Sequence, residues 1–358
     1  MALLEYATFT VPDVVKKSVN SFYNQDPLMQ ALQSRHMVKR SGGTNVRIRR
    51  IKSGHSSVVE INATNMGVPL NKIETFSQMT GDWARYIKPI ILPHIDRDRM
   101  QSKEDRANWV KDTTEAAMTS LKNDVIRRLY IGDSTTTTLS GLGTLNGAIA
   151  GNGTSSGLQN GALQFLSPTD QAAAVTNNTY LNETRVEDTV SNVDNWYNQY
   201  VAHTGIGTDF LQTAEQIKIT ADTFTEDSEG ISIGVMSIAD QVLLGAEVRS
   251  YPGGSNGGIM YTVDDIKSGK AHPTVWMVGG VRYYSNRWMT AVNMTKTGAA
   301  YLLNPNAIEY WVNANNDFRT TKFTDHLATS NQDADVGYII LESQFVVPNL
   351  LANGCTST

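Results

Sequence analysis

One stretch restricts the possible folds more than any other: "SKEDRANWVKDTTEAAMTSLKNDVIRRLYIG", Ser102 to Gly132. Ser102, with Asp105 three residues on, is a capping-box start. Ala107, Val110, Thr114, Ala117, Leu121, Val125 and Leu129 follow at alternating three- and four-residue steps, so they line one face of a helix. Glu104 and Asp105 sit in the first turn, Arg127 and Arg128 in the last, and Gly132 follows as a stop. The pattern predicts a helix of about 29 residues, roughly 44 Å long at 1.5 Å per residue. A helix of that length spans a whole domain, and the remaining elements have to be arranged against it.

On both sides of this helix the sequence changes character. Residues 1–34 read as an arm with two short helical patterns broken at Pro27, too little to build a core alone. Arg35 to Lys52 holds seven Lys/Arg and no acid. Within it, "NVRIRRIKS" sets Val46 and Ile48 against Arg47 and Arg49, the alternation of a half-exposed strand. The residues around Gly54 read as a turn, and "DWARYIKPIILP" as a returning strand that Pro89 and Pro93 confine to an edge or an end. Residues 44–93 together predict a long two-stranded excursion without a core, which is unstable unless it lies on something. Beyond the helix, Ser134 to Thr169 carries no charge. "RVEDTVSNVDNWYNQYVAH" predicts a second amphipathic helix through Val186, Val190, Val193, Tyr197 and Tyr200. "GISIGVMS" predicts a buried strand leading into a helix capped by Ser237 and Asp240 and ending near Ser250. "AAYLLNP", "AIEYWVN", "FRTTKFT" and "VGYIILESQFVVPN" then read as strands.

Composition narrows the function classes. A formal net charge of −5 over 358 residues argues against a dedicated nucleic-acid reader. The single cysteine, Cys355, excludes a disulfide framework and a multi-thiolate metal site. The N-terminal residues lack the regions of a signal peptide, and no apolar run approaches the roughly 20 residues that span a bilayer. The chain therefore reads as soluble and reduced, with no membrane partner, and its five N-x-[ST] sequons carry no weight.

Each candidate chemical site has a structural competitor. The glycine-dense "LSGLGTLNGAIAGNGTSSGLQNG", Leu139 to Gly161, has G-x-G spacing at Gly141 and Gly143. It lacks the preceding strand of a dinucleotide fingerprint and the Gly-Lys-[Ser/Thr] of a P-loop, so it reads as a flexible passage that adjusts the chain between two parts of the fold. His94, Asp96 and Asp98 alternate as metal ligands could, but Arg97 and Arg99 oppose a cation, and an ion-pair junction at a helix start is favoured. Trp196, Tyr197 and Tyr200 read as core packing before a stacking platform. Arg47, Arg49, Arg50 and Lys52 could grip phosphates, but in an acidic chain the better reading seats the ribbon on an acidic face of a neighbouring copy. No nucleophile motif, carboxylate pair or calcium loop stands out. No catalytic, cofactor or metal site is expected, and the unburied arm and ribbon point toward assembly.

This order of elements resembles the major capsid protein of tailed bacteriophages, the Hong Kong 97 fold. The resemblance lies in the ribbon running into "HIDRDRMQSKEDRANWVKDTTEAAMTSLKNDVIRRLYIGD", in "GISIGVMSIADQVLLGAEV", and in the ending from "GAAYLLNPNAIEYWVN" to "ESQFVVPNLLANG". It implies an α+β fold: an N-terminal arm over 1–40, an extended loop over 41–94 and a spine helix of a peripheral domain over 95–134. An axial domain over 135–303, peripheral return strands over 304–348 and a tail over 349–358 complete it. It implies a structural protein of the virion capsid, made in the host cytoplasm, whose copies form the pentamers and hexamers of an icosahedral shell around double-stranded DNA. A separate scaffolding protein, or prior processing, and a portal are implied as partners, with DNA held without sequence specificity. Some members crosslink an extended-loop lysine to a peripheral-domain asparagine. Lys52 and Lys72 are available, but "DADVGYIILESQ" offers no asparagine between Asn331 and Asn349, so no crosslink is expected. The alternatives are an encapsulin-type compartment shell of the same fold, or a mixed-strand enzyme or binding module.

Overall fold

The protein's structure, a computed structural model, describes residues 10–19, 26–35, 37–40, 43, 45–51, 76–100, 102–131, 163, 165, 167, 169–170, 179–180, 183–184, 186–187, 195–223, 225, 230–250, 276–289, 297–325 and 333–358. Helix α1 covers residues 10–19, followed by α2 (Pro27–Arg35), β1 (Met37–Arg40), β2 (Asn45–Ile51), β3 (Phe76–Asp82), β4 (Ala84–Pro93), α3 (His94–Arg99) and α4 (Lys103–Ile131). Short strands β5 (Thr179–Tyr180), β6 (Glu183–Thr184) and β7 (Gln199–Tyr200) lead to α5 (Phe210–Asp222), β8 (Ile233–Met236) and α6 (Ile238–Ser250). Then come β9 (Trp276–Val278), β10 (Val281–Ser285), β11 (Ala300–Leu303), β12 (Glu309–Asn313), β13 (Arg319–Thr320), β14 (Thr324–Asp325), β15 (Ala334–Val346) and β16 (Gly354–Thr356).

The long helix has the bounds that its pattern predicts, and Ser102 Oγ accepts the Asp105 backbone N–H at 3.0 Å. Val110, Thr114, Ala117, Leu121, Val125 and Leu129 are buried. The one polar step in that stripe is satisfied locally, because the Thr114 hydroxyl donates to the Val110 carbonyl at 2.7 Å. Each large apolar side chain buried there contributes about 1.5–3 kcal/mol, and this packing holds α4 more than local propensity does. Opposite it runs a six-stranded sheet centred on β15, which is buried on both faces. Strand β4 pairs antiparallel with β15 over ten residues, from Ala84↔Ser343 to Pro93↔Ala334. Among the described residues β4 is an edge strand, consistent with its two prolines, which have no N–H for a further neighbour.

A second six-stranded sheet has the order β7-β16-β11-β8-β10-β9. Its central strands β8 and β11 are buried on both faces because the sheet serves two cores. Ile233 and Val235 of β8, with Tyr301 and Leu303 of β11, join the cluster that contains α4. The alternate residues Met236, Ala300 and Leu302 face a second cluster with Phe210, Ala214 and Ile217 of α5 and Leu244 and Val248 of α6. Gly234 lies under the Tyr283 ring, where a Cβ would meet Cδ1 at 2.4 Å. The two helices are pinned together by the buried Glu247 of α6, whose carboxylate accepts from Gly207 N at 3.0 Å and Leu211 N at 3.1 Å. Ser237 caps α6 as its sequence predicts, accepting from Asp240 N at 3.0 Å.

Four expectations need correction. The described residues of the helix predicted over 186–200 are not helical: Val186 and Trp196 pair as an antiparallel bridge, and Gln199–Tyr200 is a strand beside Gly354–Cys355. The β-branched and aromatic residues that spaced like a helix stripe also fit a pleated surface, and pairing with distant strands decided between them. The ribbon's returning strand is β3, which pairs with β2 from Asn45↔Asp82 to Ile51↔Phe76, whereas β4 belongs to the body. The described arm is packed down, with Val11, Val15, Leu28, Met29 and Leu32 in the α4 core and β1 parallel to β12. Residues 349–358 are not a loose tail, since β16 lies within the second sheet and Cys355 is fully buried. The glycine-dense stretch 139–161, the turn around Gly54, Lys52 and Lys72 lie outside the described residues. Among those described, no helix is long and apolar enough to cross a membrane.

Candidate assembly surfaces

The basic run divides into residues that serve their own chain and residues that face out. Lys39 Nζ meets Asp317 Oδ2 at 2.7 Å, and the Arg40 guanidinium lies 4.6 Å from the centre of the Trp311 ring. Arg50 is 2% exposed. Its Nη1 donates to Glu183 Oε1 at 2.6 Å, and the guanidinium stacks 4.6 Å from the Trp196 ring centre. Ser77, directly across the ribbon, donates to the same Glu183 oxygen at 2.8 Å. The described ribbon is therefore fastened, at the end away from β4, to Glu183 and Trp196 by an ion pair and a stack.

Of the four residues expected to contact a neighbouring copy, Arg50 is separated by the structure from Arg47 and Arg49, while Lys52 lies outside the described residues. The period of two already places residues 48 and 50 on one face and 47 and 49 on the other. Ile48 is half-buried, and Arg47 and Arg49 are exposed. Sorting the charges by face, before pooling them by sign, would have found this.

The arm has an anchor of the opposite charge. Asp26, buried at 4% exposure, caps α2 by accepting from Leu28 N at 3.0 Å and Met29 N at 3.3 Å. It also accepts from the Tyr130 hydroxyl at 2.7 Å and from Asn286 Nδ2 at 3.3 Å. One carboxylate thus joins the arm, the end of α4 and the loop after β10. Burial pushes its pKa up, against the opposing pull of these hydrogen bonds. The Tyr130 hydroxyl is raised well above its usual range by burial and then by Asp26.

His94 sits where β4 passes into α3, but its partners are not Asp96 and Asp98. Its Nδ1 lies 2.6 Å from Asp333 Oδ1 and its Nε2 3.3 Å from Asp335 Oδ1. Its backbone N–H donates to the Asp333 carbonyl at 3.0 Å. The junction of ion pairs is there, made with the start of β15, a partner that local spacing does not reveal. Trp196 is buried in the core and Tyr200 packs on it, as the core reading requires, whereas Tyr197 between them is only half-buried.

Among the described residues, large apolar side chains are exposed on β4 and on α6, besides Ile95 and Ile219. On the outer face of β4, Ile87 and Ile91 are 51% and 47% exposed, beside an open groove of about 1000 Å³ lined by Tyr86, Lys88, Asn123, Asp124, Arg127 and Trp288. On α6, Ile238, Val242 and Leu243 are 58%, 71% and 48% exposed. Ile238 and Val242 lie one turn apart on a single face. Contiguous apolar surface of this kind marks contact with another molecule.

No protein-family model and no curated protein matches the chain. Solved structures do. The capsid asymmetric unit of cyanophage A-1(L) aligns over 92% of this chain and 92% of its own, with 12% identity and a TM-score of 0.52. The capsid of a native GTA particle aligns over 91% of this chain and 89% of its own, with 11% identity and a TM-score of 0.52. At these identities the likeness is one of fold, and it extends over about nine-tenths of the chain. The chain has the Hong Kong 97 fold of phage capsid subunits.

Proposed function

We propose that the protein is the major capsid subunit of a tailed bacteriophage. Its role is structural, and its copies associate with one another into pentamers and hexamers of an icosahedral shell. The observation that carries this reading is the alignment, over nine-tenths of both chains, with subunits whose own structures are capsids. The exposed isoleucines of β4 and the apolar stripe of α6 support it, because a shell subunit has to bury such surface against its neighbours. In this layout residues 1–40 are the arm, 41–83 the extended loop and 95–134 the spine helix region. The second sheet with α5 and α6 forms the axial domain, and the β15 sheet the peripheral domain. Arg47, Arg49 and Lys52 contact an acidic face of the next subunit, and Arg50 holds the ribbon at the angle that presents them.

Double-stranded DNA fills the shell without sequence readout, and the net charge of −5 keeps the wall from gripping it. A separate scaffolding protein and a portal complete the assembly pathway, and the site of residence is the virion. Electron microscopy of the expressed protein, alone and with its scaffolding partner, tests this. Capsomer rings, tubes or closed shells are expected. A monodisperse monomer of 39.3 kDa that turns over a substrate would refute it, and uniform DNA-free shells retaining a cargo enzyme would make it a compartment shell.

A further inference from the structure

The β14–β15–β4 corner of the large sheet gathers a ligand set that assembly does not use. Asp325 on β14 and Asp335 on β15 are register partners. Leu92 of β4 lies opposite Asp335 on its other side, so His94, two residues on, falls on the same face. The ligand atoms of His94, Asp325 and Asp335 all lie within 4.8 Å of one another.

Two further observations point to a ligand at this corner. Asp335 is 2% exposed, and its Oδ2 has no hydrogen-bond partner among the described residues, a costly state for a buried carboxylate. The imidazole is oriented from behind, with Nδ1 at 2.6 Å from Asp333 Oδ1 and Nε2 facing Asp335. A carboxylate on one ring nitrogen and a ligand position at the other is how metal-binding histidines are held.

The geometry points to a divalent transition-metal site, of the zinc or manganese type, formed by His94 Nε2 and the carboxylates of Asp325 and Asp335, with Asp333 as the positioning residue. One nitrogen with two oxygens suits these cations better than calcium or magnesium, which prefer all-oxygen shells. Bonds of about 2.0–2.2 Å place ligand atoms within about 3.5 Å of each other, so the exposed Asp325 side chain swings inward on binding and water completes the shell. This departs from the expectation of no metal site, which weighed His94 against Asp96 and Asp98, its neighbours in sequence. The cation would staple the β14–β15 hairpin to the start of α3, and the inference stands whether or not the chain builds a shell.

The test uses the full chain, stripped with EDTA and titrated separately with zinc, manganese and calcium chlorides. Bound metal is counted by mass spectrometry after gel filtration, and thermal unfolding is followed. The expected result is one zinc or manganese ion per chain and a melting temperature raised by a few degrees in excess metal. Asp325→Asn, at an exposed position, is expected to lower zinc affinity at least tenfold, while the stripped protein, relieved of one of two opposed carboxylates, is no less stable than the stripped parent. Asp333→Asn is expected to weaken binding about 10–100-fold. Cobalt substitution gives an absorption band sensitive to the nitrogen ligand, lost in His94→Gln. Substoichiometric uptake, uptake unchanged by Asp325→Asn, or calcium binding as tightly as zinc would each overturn the assignment.

Discussion

Two buried ionisable side chains fasten the two segments that leave the body, and they do so by different physics. Arg50 holds the ribbon through an ion pair with Glu183 and a stack on Trp196. Among the described residues, Asp26 holds the arm through neutral donors, the Leu28 and Met29 N–H groups, the Tyr130 hydroxyl and the Asn286 amide. A guanidinium stays charged across the accessible pH range, so the ribbon's clamp is indifferent to protonation on its cationic side. The arm's clamp is a carboxyl whose pKa burial has raised, so it responds. Of two parts that do the same work, one is constant and the other adjustable.

The largest test breaks the constant clamp. Arg50→Ala leaves Glu183 without its cation and is expected to cost about 3–5 kcal/mol in denaturant unfolding. Hydrogen exchange should speed up first in β2 and β3. Unchanged stability would mean that the ribbon is not held there. Asp26→Ala removes a helix cap, worth about 1 kcal/mol, and orphans the Tyr130 hydroxyl and Asn286, so about 2–3 kcal/mol is expected.

Asp26→Asn sharpens the contrast through pH. An acid whose pKa is higher folded than unfolded contributes stability fully below its ordinary value of 3.8, and loses it as pH rises through the folded value. The parent should therefore lose stability relative to Asp26→Asn as pH climbs from 4 toward neutrality, measured by urea titrations along that range. A flat difference refutes the account. Arg50 variants should show no such slope. Ser77→Ala, which removes one of the two hydrogen bonds to Glu183, is expected to cost only about 1 kcal/mol. Smallest of all, the double change Arg47→Glu with Arg49→Glu should shift monomer stability by no more than about 0.5 kcal/mol. It should nevertheless abolish closed particles in electron micrographs; unimpaired assembly would remove these two from the interface.

How much of this could be read in advance depended on where each segment's partners lie. The helix Lys103–Ile131 was legible to its ends because cap, stripe and stop are local. So was the α6 start at Ser237, for the same reason. The stretch 186–200 misled because Val186, Trp196 and Tyr200 satisfy a helical and a pleated spacing equally, and a strand more than 150 residues away selected the second. Helix α5 passed unread although Phe210, Ala214, Ile217 and Ala221 carry its stripe at four- and three-residue steps. Arg50 was misplaced by counting charge instead of faces. The His94 corner was half legible: the histidine was singled out, but Asp325, Asp333 and Asp335 arrive from another part of the chain. The burial of Cys355 and its neighbours had no sequence signal beyond the apolar "NLLANG" before it.

The second sheet, with side chains pointing alternately into two cores, has a mechanical consequence. A partition shared by two packed interiors cannot tilt against either without opening voids on one side and crowding atoms on the other. The two halves of the chain are therefore coupled across this wall. In the proposed shell, where copies of one sequence would meet at unequal angles, the strain would fall at their margins, beyond the two clamps.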